Sequence, residues 1–352
     1  MSVTSRGLAI LAWVAAWSAG AGGLSEALGL KYAERSPWPT DLFAFAHAGF
    51  HDIDVAVLGS SKASFGLPPS AIDRCLSPRV GRNTRTVNLA RMYATAFTMA
   101  AVARDLLDGE RAPKVLVLAL EPEAVNAWNP HTPDSVPGTA AAWQVPRLLA
   151  GAWSWSEAVA ALHVLVRGPE SVAIAAAEAD GTDARLRWHM LAHGGGQWCY
   201  GSWRCKQQNA LYEKSEAGRW DQRVKDELPV VRDQRYGAWR VGSGVNHEAL
   251  VGLLTSAKAQ DIRVVLVDMP VHDVFRAEVP DAVASGYEAY LDETAATWGA
   301  TVWHGQAAVP GDERKHWIDP EHLGPTGAQR LGRALCQEVL ADLVPGPPRA
   351  AH

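Results

Sequence analysis

The sequence predicts an α/β domain built on a parallel sheet, and three observations predict it. Short apolar runs closed by Gly, Ser or Asp recur along the chain, stretches of helical length separate them, and the first run ends in Gly59-Ser60-Ser61. Short continuous apolar runs suit strands buried on both faces. Strands that alternate with helices are the order that builds a parallel sheet. In such a sheet, ligand sites lie at the carboxyl ends of strands, and Ser60-Ser61 stands at one of those ends.

Strands are expected over Asp54–Gly59, Arg85–Ala90, Lys114–Leu120, Arg263–Asp268 and Ala300–Trp303. Helices are expected over Ala94–Asp108, His247–Gln260, Ala284–Trp298 and Ala328–Leu343, the last opened by a Thr326-x-x-Gln329 capping box. From Glu121 to Gly244 no strand is expected, and the interval is far longer than an α/β connection requires. Residues 123–244 therefore read as an insertion. They hold nine of the 15 tryptophans: Trp128, Trp143, Trp153, Trp155, Trp188, Trp198, Trp203, Trp220 and Trp239. An aromatic-rich insertion beside strand ends suits a lid or a groove for a sugar chain, and core packing is the competing reading for each ring. The α/β domain is expected over 52–344, after a Pro- and aromatic-rich connector at 31–51. A Pro/Gly-rich tail at 345–352 is expected to be disordered.

The first 30 residues differ from the rest. Leu8–Leu24 carries no charge, follows Arg6 and ends in small residues, which reads as an export signal. Its length falls between a signal peptide core and a full membrane span, so an uncleaved anchor helix and a cleaved signal are both open. A buried core helix is the third reading, although only Ser18 interrupts the apolar stretch. An anchored chain faces the periplasm or cell exterior, and a cleaved one is secreted.

Cys75, Cys199, Cys205 and Cys336 are disulfide candidates in an oxidising compartment. Pairing Cys199 with Cys205 closes a short loop cheaply and leaves Cys75 with Cys336. Zinc ligation and buried free thiols stay open, although no Cys-x-x-Cys spacing occurs. A net charge of −5, spread without runs over 33 basic and 38 acidic residues, gives no footprint for nucleic acid. No Walker loop, dinucleotide fingerprint or His-Glu-x-x-His motif is present, so the sequence implies no cofactor and no metal.

Acyl-transfer chemistry needs a hydroxyl at a strand-to-helix turn, backbone N–H groups for an oxyanion, and a base oriented by an acid. Ser61 answers the first need, with its own N–H as one donor; an N-cap role is the plain alternative for Ser60 and Ser61. His322 and Asp319, three residues apart in a Pro/Gly-containing turn, answer the last. His272 and His316 are further candidates for substrate contact, each against the plain reading of a hydrogen-bonded structural histidine.

Together these motifs resemble the SGNH (GDSL-like) hydrolase superfamily, with a nucleophile after the first strand and Asp-x-x-His before the last helix. The resemblance covers about Asp54 to Leu343, the insertion excepted. Leu58-Gly-Ser-Ser-Lys-Ala-Ser-Phe-Gly-Leu-Pro-Pro69 looks most like exported members that work beside membrane-bound O-acyltransferases, of the D-alanine transfer and alginate O-acetylation kind. It implies a flavodoxin-like three-layer α/β/α fold and a Ser61–His322–Asp319 triad. Asn88-Leu-Ala90-Arg91 stands where the family places its second block, so Ala90 or Arg91 is the implied backbone oxyanion donor. Glu121-Pro122-Glu123 stands where the family carries Gly-x-Asn-Asp, leaving Asn126 or the insertion to supply a side-chain donor. The implied substrate is a cell-surface glycan, and the implied partner a membrane-bound O-acyltransferase.

Overall fold

The structure, a computed structural model, describes residues 52–90, 93–107, 112–127, 129, 209–210, 213–214, 218–231, 235–236 and 239–346. The chain divides into two compact units, Met1–Gly49 with Pro130–His189, and Phe50–Asn129 with Met190–His352. All described residues belong to the second.

Strand β1 (Val55–Gly59) leads into helices α1 (Ser61–Gly66) and α2 (Pro69–Val80), then β2 (Thr86–Asn88), α3 (Ala96–Leu107), β3 (Val115–Leu120) and the single turn α4 (Pro122–Val125). Helices α5 (Trp220–Val230) and α6 (Gly244–Ala259) precede β4 (Arg263–Asp268). Helices α7 (Asp273–Arg276) and α8 (Asp281–Trp298) then lead to β5 (Thr301–His304). Finally α9 (Pro325–Leu335) runs through a π-turn at Cys336–Leu340 into α10 (Ala341–Leu343). The five strands are all parallel, in the order β2-β1-β3-β4-β5. Val57 pairs with Asn88 on one side and Val117 on the other, and Val117 with Val265. This is the flavodoxin-like order, whose direction reverses between β1 and β3 and opens a crevice there.

β1 and β3 are buried along their whole length, as strands covered on both faces must be. Val55, Val57, Val115, Val117, Val265 and Val267 alternate onto one face, against Ile72 and Leu76 of α2 and Leu331 and Leu335 of α9. Helices α3 and α6 pack together over β1 and β4, and α8 lies against β5. At the amino edge, buried Asp54 accepts from Arg82 Nη1 (2.8 Å), Lys114 Nζ (2.8 Å) and the Arg85 N–H (3.0 Å). Burial opposes its charge, yet these donors win and hold the carboxyl below its ordinary range. The clamp fixes the sheet at the edge opposite Ser61.

Several expectations change. The final helix starts at Pro325 after the cap residue Gly324, and the Thr326/Gln329 capping box does not form. Proline at the first helical position brings its own helical φ and moves the start upstream of the box. Cys75 of α2 and Cys336 are joined in a disulfide, which removes both as zinc ligands. Cys199 and Cys205 lie outside the described residues. So do the 8–24 segment, the 31–51 connector, tail residues 347–352 and all of the insertion tryptophans except Trp220 and Trp239. Of those two, Trp220 is a core residue buried against the His272 ring, and Trp239 is partly buried, packed edge-on to Tyr236. Among the described residues no helix is long and apolar enough to cross a membrane.

Candidate active site

The residues at the β1/β3 crevice are placed by the turn after β1. Gly59 is required there, because a Cβ would meet the Ala63 Cβ at 2.5 Å and the Ala119 oxygen at 2.9 Å. Ser60 caps α1, its hydroxyl accepting from the Lys62 N–H at 3.2 Å. That leaves Ser61 as the first helical residue, partly exposed, with an N–H that has no acceptor within the helix.

Opposite it, the loop before α9 carries Asp319 and His322. His322 Nε2 lies 2.8 Å from Ser61 Oγ, and His322 Nδ1 lies 2.9 Å from both carboxylate oxygens of Asp319. Asp319 Oδ1 also accepts the N–H groups of Glu321 (2.9 Å) and His322 (2.7 Å), which folds the loop into a tight turn. An antiparallel bridge between Trp317 and Leu323 closes the turn, and the Phe65 ring packs 4.9 Å from the imidazole. Burial opposes charge on both groups. Their mutual attraction prevails, holding His322 above and Asp319 below their ordinary values. The His322 side chain keeps 15% exposure, so it remains reachable from solvent.

Sequence reading did not find the charged surround. Arg223 of α5 places Nη1 3.2 Å from Asp319 Oδ2 and pairs also with Glu227. Lys62, beside Ser61 and buried, points its ammonium at Glu121 (2.6 Å), Glu321 (3.4 Å) and Glu123 (4.0 Å). The Glu121 contact is off-axis for a hydrogen bond, so its attraction is chiefly Coulombic. Arg235 Nη1 joins Glu321 (2.9 Å) to Glu123 (3.1 Å), and the Tyr236 hydroxyl donates to Glu123 at 2.9 Å. Both cations lie over the Phe275 ring. Burial works against the Lys62 charge, but the three glutamates outweigh it and hold the ammonium well above the lysine range. Glu321 is drawn down to about 2 although burial opposes it, because Lys62 and Arg235 face it. Charged residues at the carboxyl ends of β1 and β3 were a signal for Lys62 and Glu121; nothing in the sequence marks Arg223 or Arg235.

Four predicted contacts are corrected. The Ala90 N–H is taken by Asn88 Oδ1 at 2.9 Å, while Asn88 Nδ2 holds the Ala63 and Leu67 carbonyls, so Ala90 does not face an oxyanion. Asn126 is buried with its side-chain oxygen on the Arg240 N–H (3.1 Å), and its carbonyl accepts from Asn246. His272 caps α7 through the Val274 N–H (3.2 Å) between Trp220 and Trp317, and burial lowers its pKa. His316 is buried and presents no surface to a substrate; its main-chain oxygen receives the Gly324 N–H. Arg91 lies outside the described residues. Among those residues no group of three or more His, Cys, Asp or Glu is arranged to hold a metal ion.

The arrangement can therefore take a proton from Ser61 and return it, with Asp319 fixing the imidazole tautomer. No family model matches the chain, and no curated protein matches it.

Proposed function

We propose that the protein is an extracytoplasmic serine acyl-transfer enzyme of SGNH type, an O-acetyltransferase or acetylesterase acting on a cell-surface polysaccharide. The observation that carries this reading is the unbroken line from Ser61 through His322 to Asp319 at the sheet's switch point. Ser61 Oγ attacks the acyl carbonyl as its proton passes to His322 Nε2. The oxyanion develops toward the Ser61 N–H. Collapse expels the alcohol, protonated by His322, and leaves an acyl-serine. A sugar hydroxyl or water, deprotonated by His322, then attacks, and Ser61 departs with its proton restored.

The glycan, a membrane-bound O-acyltransferase partner, and membrane attachment through residues 8–24 belong to the same proposal and rest on the sequence resemblance. A second reading has one observation in its favour: the Ala90 N–H, a donor sought for the oxyanion, is engaged by Asn88 Oδ1. Loss of one such donor costs on the order of a hundredfold in rate, which suits slow transfer and equally a non-catalytic glycan-binding partner. A fluorophosphonate separates the two. Covalent labelling of the wild type and none of Ser61→Ala supports the enzyme; a folded wild type that stays unlabelled rejects it. Rapid release of acetate from an activated ester without any sugar acceptor assigns an esterase instead.

A further inference from the structure

Among the described residues, the buried network beside the triad does not balance. Glu121, Glu123 and Glu321 bring three negative charges, Lys62 and Arg235 two positive ones, and Tyr236 is held in its neutral form by burial and Glu123. One negative charge is left over. At the same time Asp319, the usual counterion of an imidazolium, is shared with Arg223. Its charge is partly spent before His322 takes a proton.

We propose that Glu321 is a positioning residue for His322, supplying from the leftover charge of this network the field that steadies the imidazolium formed when Ser61 loses its proton. The inference rests on the acyl-transfer reading for its consequence, though not for its geometry. Glu321 stands between Asp319 and His322 in one tight turn, and its carboxylate is anchored by Arg235 (2.9 Å) and Lys62 (3.4 Å). The network thereby ties three elements to the turn: the start of α1 through Lys62, the end of β3 through Glu121 and Glu123, and the segment after α5 through Arg235. Among the described residues, the charged groups facing His322 are Asp319 and Glu321 on its own loop, Lys62 on α1, Arg223 and Glu227 on α5, and Arg235 behind Glu321. Glu321→Gln leaves two carboxylates against two cations, so the network becomes neutral and the variant is expected to fold.

The test is NMR titration of ring-labelled histidine in the full chain, with the His322 signal assigned by its loss in His322→Gln. Glu321→Gln is expected to lower the His322 pKa by about one unit and, at pH above both values, to slow fluorophosphonate labelling of Ser61 by up to about tenfold. Arg235→Gln, which removes a cation from the same network, is expected to raise the pKa. A packing role alone gives no such opposite pair. Unmoved titrations, or shifts in the same direction, overturn the proposal; should Glu321→Gln fail to fold, an Arg235→Gln titration that does not rise overturns it. Opposite shifts in a protein whose Ser61 is never labelled uphold the field and reject the enzyme.

Discussion

Four donors converge on the Asp319 carboxylate: the His322 imidazole, two main-chain N–H groups and Arg223. The carboxyl is therefore ionised at neutral pH, and His322 presents Nδ1–H to it and Nε2 to Ser61. Because the His322 pKa is raised above 6.5, the base is unprotonated only at higher pH than an ordinary histidine allows. Labelling of Ser61 is expected to rise with pH through a midpoint above 6.5, read from a rate profile. Stability runs the other way for this group: the contribution of His322 is present below 6.5 and lost as pH climbs through its folded value. Glu321 is depressed instead, so its contribution is present above pH 4.5 and lost as pH falls toward about 2. Ser61, Asp319 and His322 were legible because each sits in a short local motif. Ala90, Asn126, His272 and His316 were misjudged because tertiary partners, invisible in the sequence, had already taken their polar groups or buried them.

Helix α9 sets the triad loop from below. A Cβ on Gly327 would stand 2.3 Å from the His316 oxygen and 2.9 Å from Leu323 Cδ2, and main chain cannot swing aside as a side-chain tip can. Gly327→Ala is expected to push α9 off the loop, cost about 1–3 kcal/mol, and reduce Ser61 labelling together with the melting temperature. A melt like that of wild type with full labelling contradicts this. The strands and the helices α3, α6 and α8 were readable to within a few residues, since continuous apolar runs and helical spacing are local properties; α2 was not expected. Where α9 begins was not, because Pro325 and the His316 carbonyl, not the Thr326/Gln329 pair, set its first turn. α5 was hidden for another reason: its length is charged, with only Trp220 and Leu228 buried, so it shows little apolar face.

Across the whole molecule, Cys75 and Cys336 staple α2 to the turn after α9, linking points 261 residues apart. Replacing both with serine is expected to cost about 2–5 kcal/mol, seen as a lower melting temperature that reductant no longer changes. A double variant as stable as wild type contradicts this. The sequence reached this pairing indirectly, as the pair left over once Cys199 is joined to Cys205 across a short loop, since cysteine spacing alone says nothing of what the sheet brings together. The same distance separates Ser61 from His322, also 261 residues. A ribosome working at roughly 5–20 residues per second needs about a quarter of a minute to a minute between releasing one and the other. Throughout that interval, and in every chain that ends before residue 322, Ser61 lacks the imidazole that stands against it. On the acyl-transfer reading, a product that ends before His322 is chemically silent, and a reactive Ser61 certifies that synthesis has passed that residue.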